Sequence, residues 1–367
     1  MANKWSKQKL GDVCEINQSK RDNNWKHPII EYIDISSVGV GHLIDKPNLI
    51  SVKEAPSRAQ RLVQDGDTIV STVRPNRRSM LYIKSPKQNT VVSTGFAVLH
   101  PKKIDSRFLY YSVFDQEFTD YLAARADGSA YPAVSPEVIS DAELDLPSLP
   151  EQRIIAGILG ALDDKIELNR RINATLESMA RAVFRQWFVV NEEVGKWEQK
   201  KIGDICEFAY GKGLRAVGRN SGVIPVYGSN GQIGWHNEYL VNGPGIVVGR
   251  KGNPGVVTWA QKDFFPIDTT FYVVPKDKET SLYWLYYTLI SNNLPDLGAD
   301  SAVPGLNRNI AYMSDVNYPS QDEMKRFDDL AKSLFDKIYA NNEESRTLAS
   351  LRDSLLPKLM RGEVRVK

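Results

Sequence analysis

Two long stretches of the chain repeat apolar residues every three or four positions. This spacing places the apolar side chains on one face of a helix and predicts α-helices over residues 151–188 and 321–360, each roughly 55 Å long. A stripe held for over about 30 residues is typical of a coiled-coil seam. The stripe residues are Ile155, Leu159, Leu162, Ile166, Leu176, Met179 and Val183 in the first helix, and Phe327, Leu330, Leu334, Ile338, Leu348, Leu351, Leu355 and Leu359 in the second.

Asparagines interrupt both stripes. Asn169 and Asn341 lie at matching places in the two predicted helices, and Asn173 also lies on the first stripe. A polar residue at a seam position costs stability but fixes the register of the helices. We therefore expect the helices to pack antiparallel with Asn169 facing Asn341. The alternative is that each asparagine faces solvent at a frayed point.

Outside these helices, shorter apolar runs bounded by turn residues predict strands, and each set of strands is followed by a further helix, over 106–124 or 282–292. The predicted strands are 67–73, 80–84, 91–99, 245–249, 255–260 and 269–274. The expected fold is α+β, with two globular domains of mixed helix and sheet held apart by two long antiparallel coiled-coil helices. The expected segments are a first domain 1–150, a central helix 151–190, a second domain 191–320 and a C-terminal helix 321–367.

The chain is internally duplicated, which predicts pseudo-twofold symmetry. Seven of 13 positions are identical between residues 4–16 and 196–208, and Asp164-Lys165-Ile166 returns as Asp336-Lys337-Ile338. The interiors of the halves match only in patches, such as Ser129-Ala130 with Ser301-Ala302. A retained frame around divergent interiors is expected if the frame assembles and the interiors discriminate. The alternative is ordinary drift after duplication.

Composition is that of a soluble globular protein, with 42% hydrophobic and 25% charged residues, enough for two domains with their own cores. No apolar run reaches membrane-spanning length. Cys14 and Cys206 occupy equivalent repeat positions, where a buried thiol in each domain is expected. Together these features predict a reduced, cytoplasmic protein without a membrane association. The net charge is only +2, but residues 58–87 carry seven basic residues against two acids, and residues 196–219 carry six against three.

Recognisable catalytic motifs are missing from the sequence. There is no phosphate-binding glycine loop followed by Lys-Ser/Thr, no nucleophile elbow, and no metal-ligand spacing among the four histidines. Asp163-Asp164-Lys165 resembles a nuclease Asp-x-Lys, but it lies within a long helix, where a solvated face is the expected explanation. We therefore expect a recognition protein with no catalytic residues and no metal.

Several short motifs recur in a fixed order along the chain. They are Trp5-x4-Leu10-Gly11-Asp12, Trp197-x4-Ile202-Gly203-Asp204, Leu149-Pro150-Glu151-Gln152, the Ile224-Pro225-Val226-Tyr227-Gly228-Ser229-Asn230-Gly231 segment and the Gly245-Ile246-Val247-Val248-Gly249-Arg250-Lys251-Gly252 segment. Their order, together with the duplication, resembles the DNA-specificity subunit of type I restriction-modification systems over essentially the whole chain. In the first half, the region around Glu31–Ser37 departs from the Tyr-Gly-x-Asn-Gly pattern and is similar to another variant of the family.

The resemblance implies that each domain reads one half of a split double-stranded DNA site and that the helices fix the gap between the halves. It also implies a subunit without a cofactor of its own. Two partner modification subunits would bind S-adenosylmethionine and methylate adenine N6, and restriction subunits can join such a complex.

Base reading by such domains is expected from Arg, Asn and Ser side chains at groove edges, with Lys and Arg on phosphates. For each candidate, the alternative is a solvated surface side chain. The candidates are Arg74, Asn76, Arg77, Arg78, Ser129 and Tyr131 in the first domain, and Lys212, Arg215, Tyr227, Ser229, Asn230, Arg250, Lys251, Asn253, Asn307, Arg308 and Asn309 in the second.

Two other classes of function remain open from the sequence. One is a two-domain DNA-binding regulator that acts without enzyme partners. The other is a coiled-coil adaptor that binds only protein. A salt-dependent complex with DNA separates the adaptor from the other two classes.

Overall fold

A computed structural model of the chain describes residues 5–22, 25–128, 131–298 and 305–366. The chain forms two compact units. Unit 1 consists of Met1–Ile166 with Arg346–Lys367, and unit 2 of Glu167–Ser345. Each unit therefore contains one globular domain and a part of each long helix, whereas the sequence-based segments keep helices and domains apart.

Unit 1 contains two four-stranded sheets, in the orders β2-β9-β6-β7 and β4-β3-β8-β5, and a separate antiparallel pair of β1 with β10. Strand β3 runs parallel to β8, and the other pairings are antiparallel. The elements are β1 (Ser6–Lys9), α1 (Leu10–Val13), β2 (Cys14–Ile16), β3 (Ile29–Ile33), β4 (Asn48–Ser51), β5 (Ala59–Leu62), β6 (Thr68–Ser71), β7 (Met80–Tyr82), β8 (Thr90–Ser93), β9 (Phe96–Pro101), α2 (Ser106–Phe114), α3 (Gln116–Ala123), α4 (Pro136–Ser140), β10 (Glu143–Leu146) and α5 (Leu149–Phe188), of which α5 continues into unit 2.

Unit 2 contains a four-stranded sheet in the order β12-β18-β15-β16, a three-stranded sheet in the order β14-β13-β17, and an antiparallel pair of β11 with β19. Strand β13 runs parallel to β17, as β3 runs parallel to β8 in unit 1. The elements are β11 (Glu198–Lys201), α6 (Ile202–Ile205), β12 (Cys206–Tyr210), β13 (Ile224–Gly228), β14 (Gly231–His236), β15 (Gly245–Gly249), β16 (Val257–Ala260), β17 (Phe265–Pro266), β18 (Thr270–Pro275), α7 (Leu282–Ser291), α8 (Arg308–Tyr312), β19 (Asp315–Tyr318) and α9 (Gln321–Met360).

The two long helices are confirmed as α5 and α9, and so is the α+β class. Predicted strands in both units are observed with ends shifted by up to two residues, except that the strand predicted over 91–99 is two strands, β8 and β9. The chain changes sheets at Thr94-Gly95, where a side chain on Gly95 would lie 2.3 Å from Ile35 Cδ1. The prediction of one strand was wrong because the apolar pattern continues across this bend.

The helix predicted over 106–124 is also divided. Helix α2 ends at Phe114, and Asp115 adopts an extended backbone conformation. Its carboxylate then accepts a hydrogen bond from the Glu117 amide (2.9 Å) and begins α3. An N-cap aspartate of this kind competes with helix continuation, although the apolar pattern does not change there.

The duplicated sequence motif builds the same frame in each unit. In unit 1 the Leu10 amide donates to the Ala142 carbonyl (2.8 Å), and in unit 2 the Ile202 amide donates to the Ser314 carbonyl (3.0 Å). The glycine that follows each of these residues is required for close packing. A Cβ on Gly11 would lie 2.1 Å from Ser140 Oγ, and one on Gly203 would lie 2.9 Å from Tyr312 Cβ.

Both long helices contribute to the core of each unit. In unit 1, Ile155 and Leu159 of α5 share a core with Leu356 and Leu359 of α9. In unit 2, the core includes Phe184 and Phe188 of α5 together with Phe327, Ala331 and Phe335 of α9. Burial of these large apolar side chains is the main stabilising contribution expected for each unit. Among the described residues, none of the helices has the length and apolar character needed to cross a membrane.

The helices run antiparallel within each unit, and asparagines join them in unit 2. Asn169 is 0% and Asn341 1% exposed, so the solvent-facing alternative is wrong. The Asn169 amide donates to the Asn341 main-chain oxygen (3.3 Å), and the Asn341 amide donates to Asn173 Oδ1 (2.8 Å). Asn169 and Asn341 therefore face each other as predicted, but the Asn169 side chain bonds to the Asn341 main chain. The side chain of Asn341 bonds to Asn173 instead.

Each globular domain also binds an aspartate at the same repeat position on its helix. In unit 1, Arg107 of α2 makes two hydrogen bonds to the Asp164 carboxylate (2.6 and 2.9 Å), which holds the pKa of that carboxyl below its usual range. In unit 2, Gln261 donates to Asp336 (2.7 Å). Asp163 accepts from Arg352 (2.7 Å) within unit 1. Asp164 is exposed, as expected for a solvated face, whereas Asp163 is partly buried, and both carboxylates form ion pairs with arginines.

Candidate nucleic-acid interface

In unit 1, the loop after the central strand β6 lies against the segment that contains the predicted Tyr131 turn. Val73 forms a β-bridge with Ala133, and the Arg74 amide donates to the Pro132 carbonyl (2.7 Å). These bonds bring the first-domain candidates from two distant parts of the sequence to one place. Ser129 lies outside the described residues.

Arg74 and Arg78 both adopt the left-handed backbone conformation on either side of a short 3-10 helix, Pro75–Arg77. This conformation is uncommon for residues other than glycine and costs energy, so it persists only where the surroundings enforce it. The Arg74 guanidinium carbon lies 4.6 Å from the centre of the Tyr131 ring, which is 70% exposed. The loop therefore presents an arginine stacked on an exposed aromatic ring.

The remaining unit 1 candidates divide into exposed and inward-facing side chains. Asn76 and Arg77 are exposed at the tip of the loop. Arg78 instead donates to the Phe114 carbonyl (2.5 Å) and stacks over the Phe114 ring at 5.1 Å. Packing thus explains Arg78, and Asn76 and Arg77 are the unit 1 loop side chains available to a ligand together with the Arg74–Tyr131 pair.

Unit 2 places its corresponding loop in the same way. Strand β15 is the counterpart of β6, and the residues after it are Arg250 and Lys251. Lys251 forms a β-bridge with Gly305, and the Leu306 amide donates to the Arg250 carbonyl (2.9 Å). In both units, the loop after the central strand thus pairs with the segment that follows the repeated Ser-Ala-x-Pro motif.

The unit 2 loop is joined to the Lys212 segment through Pro266 at the end of β17 and Thr269 just before β18. The amides of Arg250 and Lys251 both donate to the Thr269 carbonyl (2.9 and 3.1 Å), and the Lys212 amide donates to the Pro266 carbonyl (3.0 Å). Lys212 and Lys251 are both exposed. Arg215, on the following loop, is exposed as well. These main-chain hydrogen bonds thus join the segments that carry the exposed Lys212 and Lys251.

A third loop of unit 2 contributes polar side chains. A Cβ on Gly249 would lie 2.1 Å from the Asn253 carbonyl oxygen and 2.8 Å from the Ser229 carbonyl oxygen. The glycine therefore allows the Ser229 and Asn253 loops to approach the strand end. Asn230 and Asn253 are exposed, and Ser229 is partly buried.

Two unit 2 candidates have structural explanations. Tyr227 is buried and packs edge-on against Phe264 with ring centres 5.8 Å apart, and burial raises its pKa to about 12. The Asn307 side chain accepts from the Asn309 amide (3.0 Å) and caps α8. Tyr227 is therefore part of the core, whereas Asn307 is exposed and uses its side-chain oxygen for the cap. Asn309 itself is exposed.

Sequence reasoning missed Tyr210, the last residue of β12. Arg250 and Arg308 both lie over its ring, with guanidinium carbons 5.3 and 4.9 Å from the ring centre. Tyr210 is 53% exposed. An aromatic residue just before the basic Gly211-Lys212-Gly213 run was the available signal, but its arginine partners are distant in sequence.

Both cysteines are free and buried, and burial raises the pKa of each thiol to about 12. Neither is therefore a reactive thiolate at neutral pH. Across the part of the chain that the structure describes, no three His, Cys, Asp or Glu side chains are grouped as metal ligands.

Comparison with known proteins identifies the family of the chain. The family model for the type I restriction modification DNA specificity domain matches residues 2–178 and 195–319. The HindI specificity subunit of Haemophilus influenzae is 24% identical, with 98% of this chain and 99% of that protein aligned. The MjaIX specificity subunit of Methanocaldococcus jannaschii is 25% identical over 92% of this chain and 84% of that one.

The fold is similar to the crystal structure of a type I restriction-modification S subunit from M. genitalium. The TM-score is 0.61 at 18% identity, covering 98% of this chain and 97% of that one. The matched family model describes a DNA-recognition domain rather than a catalytic one. The chain therefore belongs to the type I restriction-modification DNA specificity family, as the sequence predicts.

Proposed function

We propose that the chain recognises a split double-stranded DNA site, with each unit reading one half. The main support is that the same place in each unit carries exposed basic and amide side chains. In unit 1 this place is the loop after β6, paired at Val73 with Ala133. In unit 2 it is the loop after β15, paired at Lys251 with Gly305. Two binding loops on one duplicated frame fit a target with two halves.

The exposed side chains suit the proposed roles. Arginine matches the paired acceptors of guanine, and asparagine matches the donor and acceptor of adenine, at the major-groove edge. Asn76 and Arg77 in unit 1, with Asn230 and Asn253 in unit 2, supply these groups. Lysines such as Lys212 and Lys251 suit phosphate contacts, which position a protein without reading sequence.

The proposal includes partners that carry out the chemistry. Two modification subunits would bind S-adenosylmethionine and methylate adenine N6, and restriction subunits can complete the complex. The chain itself would need no cofactor. Support comes from the relatives, which are specificity subunits of type I restriction enzymes. A net charge of only +2 also favours shared DNA binding, because partners would then provide many of the phosphate contacts.

Exchange of one domain interior tests the split-site proposal. Residues 17–134 would be replaced by those of a relative, which keeps β1, α1, α4, β10 and both long helices. Mapping of methylated adenines in cells that carry the complex should show one half of the target changed and the other unchanged. The matched exchange of residues 209–306 should change the opposite half.

Several outcomes would contradict the proposal. A change in both halves after either exchange would show that the units do not read independently. Methylation that leaves both halves unchanged would place recognition elsewhere. Sequence-specific DNA binding without any methylation by a complex would instead favour a regulator that acts without enzyme partners.

A further inference from the structure

Two arginines of unit 2 share one tyrosine ring. Arg250 follows β15 and Arg308 begins α8, and both guanidinium groups lie over Tyr210 at 5.3 and 4.9 Å. The ring is itself anchored, because it packs edge-on against the buried Phe271 with ring centres 5.1 Å apart. Cation–π contacts of this kind hold a guanidinium in a defined orientation without neutralising its charge.

Within the described ranges, neither Arg250 nor Arg308 forms an ion pair with a carboxylate. Arg308 donates to the Phe208 carbonyl (3.3 Å), which carries only a partial charge. Arg250 Nε is buried and has no hydrogen-bond partner. Two neighbouring cations repel each other, and this repulsion is relieved when a group with acceptor oxygens binds between or beside them.

We propose that Tyr210 is a positioning residue that holds Arg250 and Arg308 as a paired clamp for acceptor oxygens of the DNA target. The inference rests on the proposed function and adds that the Tyr210 ring orients the two arginines before DNA binds. The oxygens can come from a backbone phosphate or from the edge of a guanine, since both accept hydrogen bonds from guanidinium groups.

Unit 1 contains a similar arrangement built from different residues. Arg74 lies on the loop equivalent to that of Arg250 and stacks on Tyr131, 4.6 Å from the ring centre. Tyr131 comes from the loop beside it, whereas Tyr210 comes from a strand end. An arginine stacked on an exposed tyrosine therefore occurs at the equivalent loop of both units. Arg78, by contrast, stacks on Phe114, whose ring is buried and therefore inaccessible to a ligand.

The test uses the complete chain assembled with its modification subunits and a DNA duplex that carries the motif methylated by the complex. Tyr210→Ala should weaken binding about tenfold, because two cation–π contacts are lost. Tyr210→Phe should bind within about threefold of wild type, since the ring remains. Tyr239→Ala is the matched control, because Tyr239 has the same 53% exposure. The control should bind like wild type.

The Arg250→Ala/Arg308→Ala double variant separates positioning from direct contact. If Tyr210 acts through the arginines, adding Tyr210→Ala to the double variant should cause no further loss. A further tenfold loss in that background would overturn the proposal, because the ring would then stack on DNA directly or stabilise the fold. Tyr210→Ala binding equal to wild type would also overturn it.

Two measurements on the Arg250→Ala/Arg308→Ala double variant distinguish a phosphate from a guanine as the source of the acceptor oxygens. Either source supports the proposed clamp. Phosphate contact predicts that the double variant lowers the salt slope by about one unit per arginine. Guanine contact predicts lost discrimination at one position of the second half-site with little change in slope. Failure of the wild-type complex to bind its motif in a salt-dependent way would contradict the proposed function. Wild-type binding with an unaffected Tyr210→Ala variant would contradict only the clamp.

Discussion

At the scale of single residues, neighbouring arginines have different roles. Arg77 is exposed at the tip of its loop, whereas Arg78 donates to the Phe114 carbonyl and packs on that ring. The backbone turns sharply between them, since Arg78 adopts a φ of 55°. The same cluster of basic residues in the sequence thus contains one exposed side chain and one that packs against the fold.

This difference predicts opposite effects of two alanine substitutions. Arg77→Ala should weaken DNA binding and leave the unfolding temperature unchanged. If Arg77 reads a base, the loss should be roughly 1–3 kcal/mol. If it contacts a phosphate, the salt slope of binding should fall by about one unit. Arg78→Ala should lower the unfolding temperature, because a charged hydrogen bond worth about 1.5–3 kcal/mol is lost. Thermal unfolding and salt-dependent binding of both variants check this. Reversed effects would contradict the assignment.

Asp164 gives a pH-dependent prediction. Arg107 holds the pKa of the Asp164 carboxyl below its ordinary value. The Arg107–Asp164 pair therefore stabilises the fold fully above the unfolded pKa of about 4, and this contribution is lost as the pH falls through the lower folded pKa. Because Asp164 is partly exposed, solvent screening keeps the effect near or below about 1 kcal/mol. Asp164→Asn should lower the unfolding temperature at pH 7 and have a diminishing effect below pH ~4. Glu167→Gln, in an exposed pair with Arg170, is the control. An equal effect of Asp164→Asn at all pH values would contradict the ion-pair explanation.

At the scale of secondary-structure elements, the long helices carry a buried group of amides. Asn169, Asn173 and Asn341 exchange hydrogen bonds between α5 and α9, and Asn173 also donates to Asn342 Oδ1 (2.8 Å). A buried amide that loses its partner costs more than the bond itself contributes. This group therefore disfavours any shifted pairing of the two helices, in agreement with the role of polar residues in coiled-coil seams.

Asparagine substitutions should reveal this role. Asn341→Leu alone should destabilise the protein by about 1–3 kcal/mol, because Asn173 is left without its side-chain donor. Replacing Asn169, Asn173 and Asn341 together with Leu should recover much of the loss, since no buried amide of the three remains. Thermal unfolding compares the two variants. A single variant as stable as wild type would show that the amides do not select the register.

The sequence was informative about these helices and less so about what packs on them. Sustained apolar spacing predicted the C-terminal helix with the ends observed, Gln321 and Met360. The bend at Gly95 and the cap at Asp115 were missed, because the apolar pattern continues unchanged across both. Tyr210 was missed because its role depends on Arg250 and Arg308, which only the folded chain brings together.

At the scale of the whole molecule, each long helix belongs to both units. The chain enters unit 2 at Glu167 and returns to unit 1 at Arg346, so both crossings lie within the helices α5 and α9. This division could not be predicted from the apolar pattern, which is the same on both sides of each crossing. In the proposed function, the helical residues at the crossings set the gap between the two half-sites.

The most direct measurement is the methylation motif of a variant with four extra helix-forming residues in each helix, after Ile166 and after Ser345. Each insertion adds about one turn, roughly 6 Å, which corresponds to between one and two base pairs at ~3.4 Å each. Mapping of methylated adenines should show both half-site sequences unchanged and the gap longer by one or two base pairs. A fully active variant with an unchanged gap, or one with altered half-sites, would contradict the proposal that two independent readers are spaced by the paired helices.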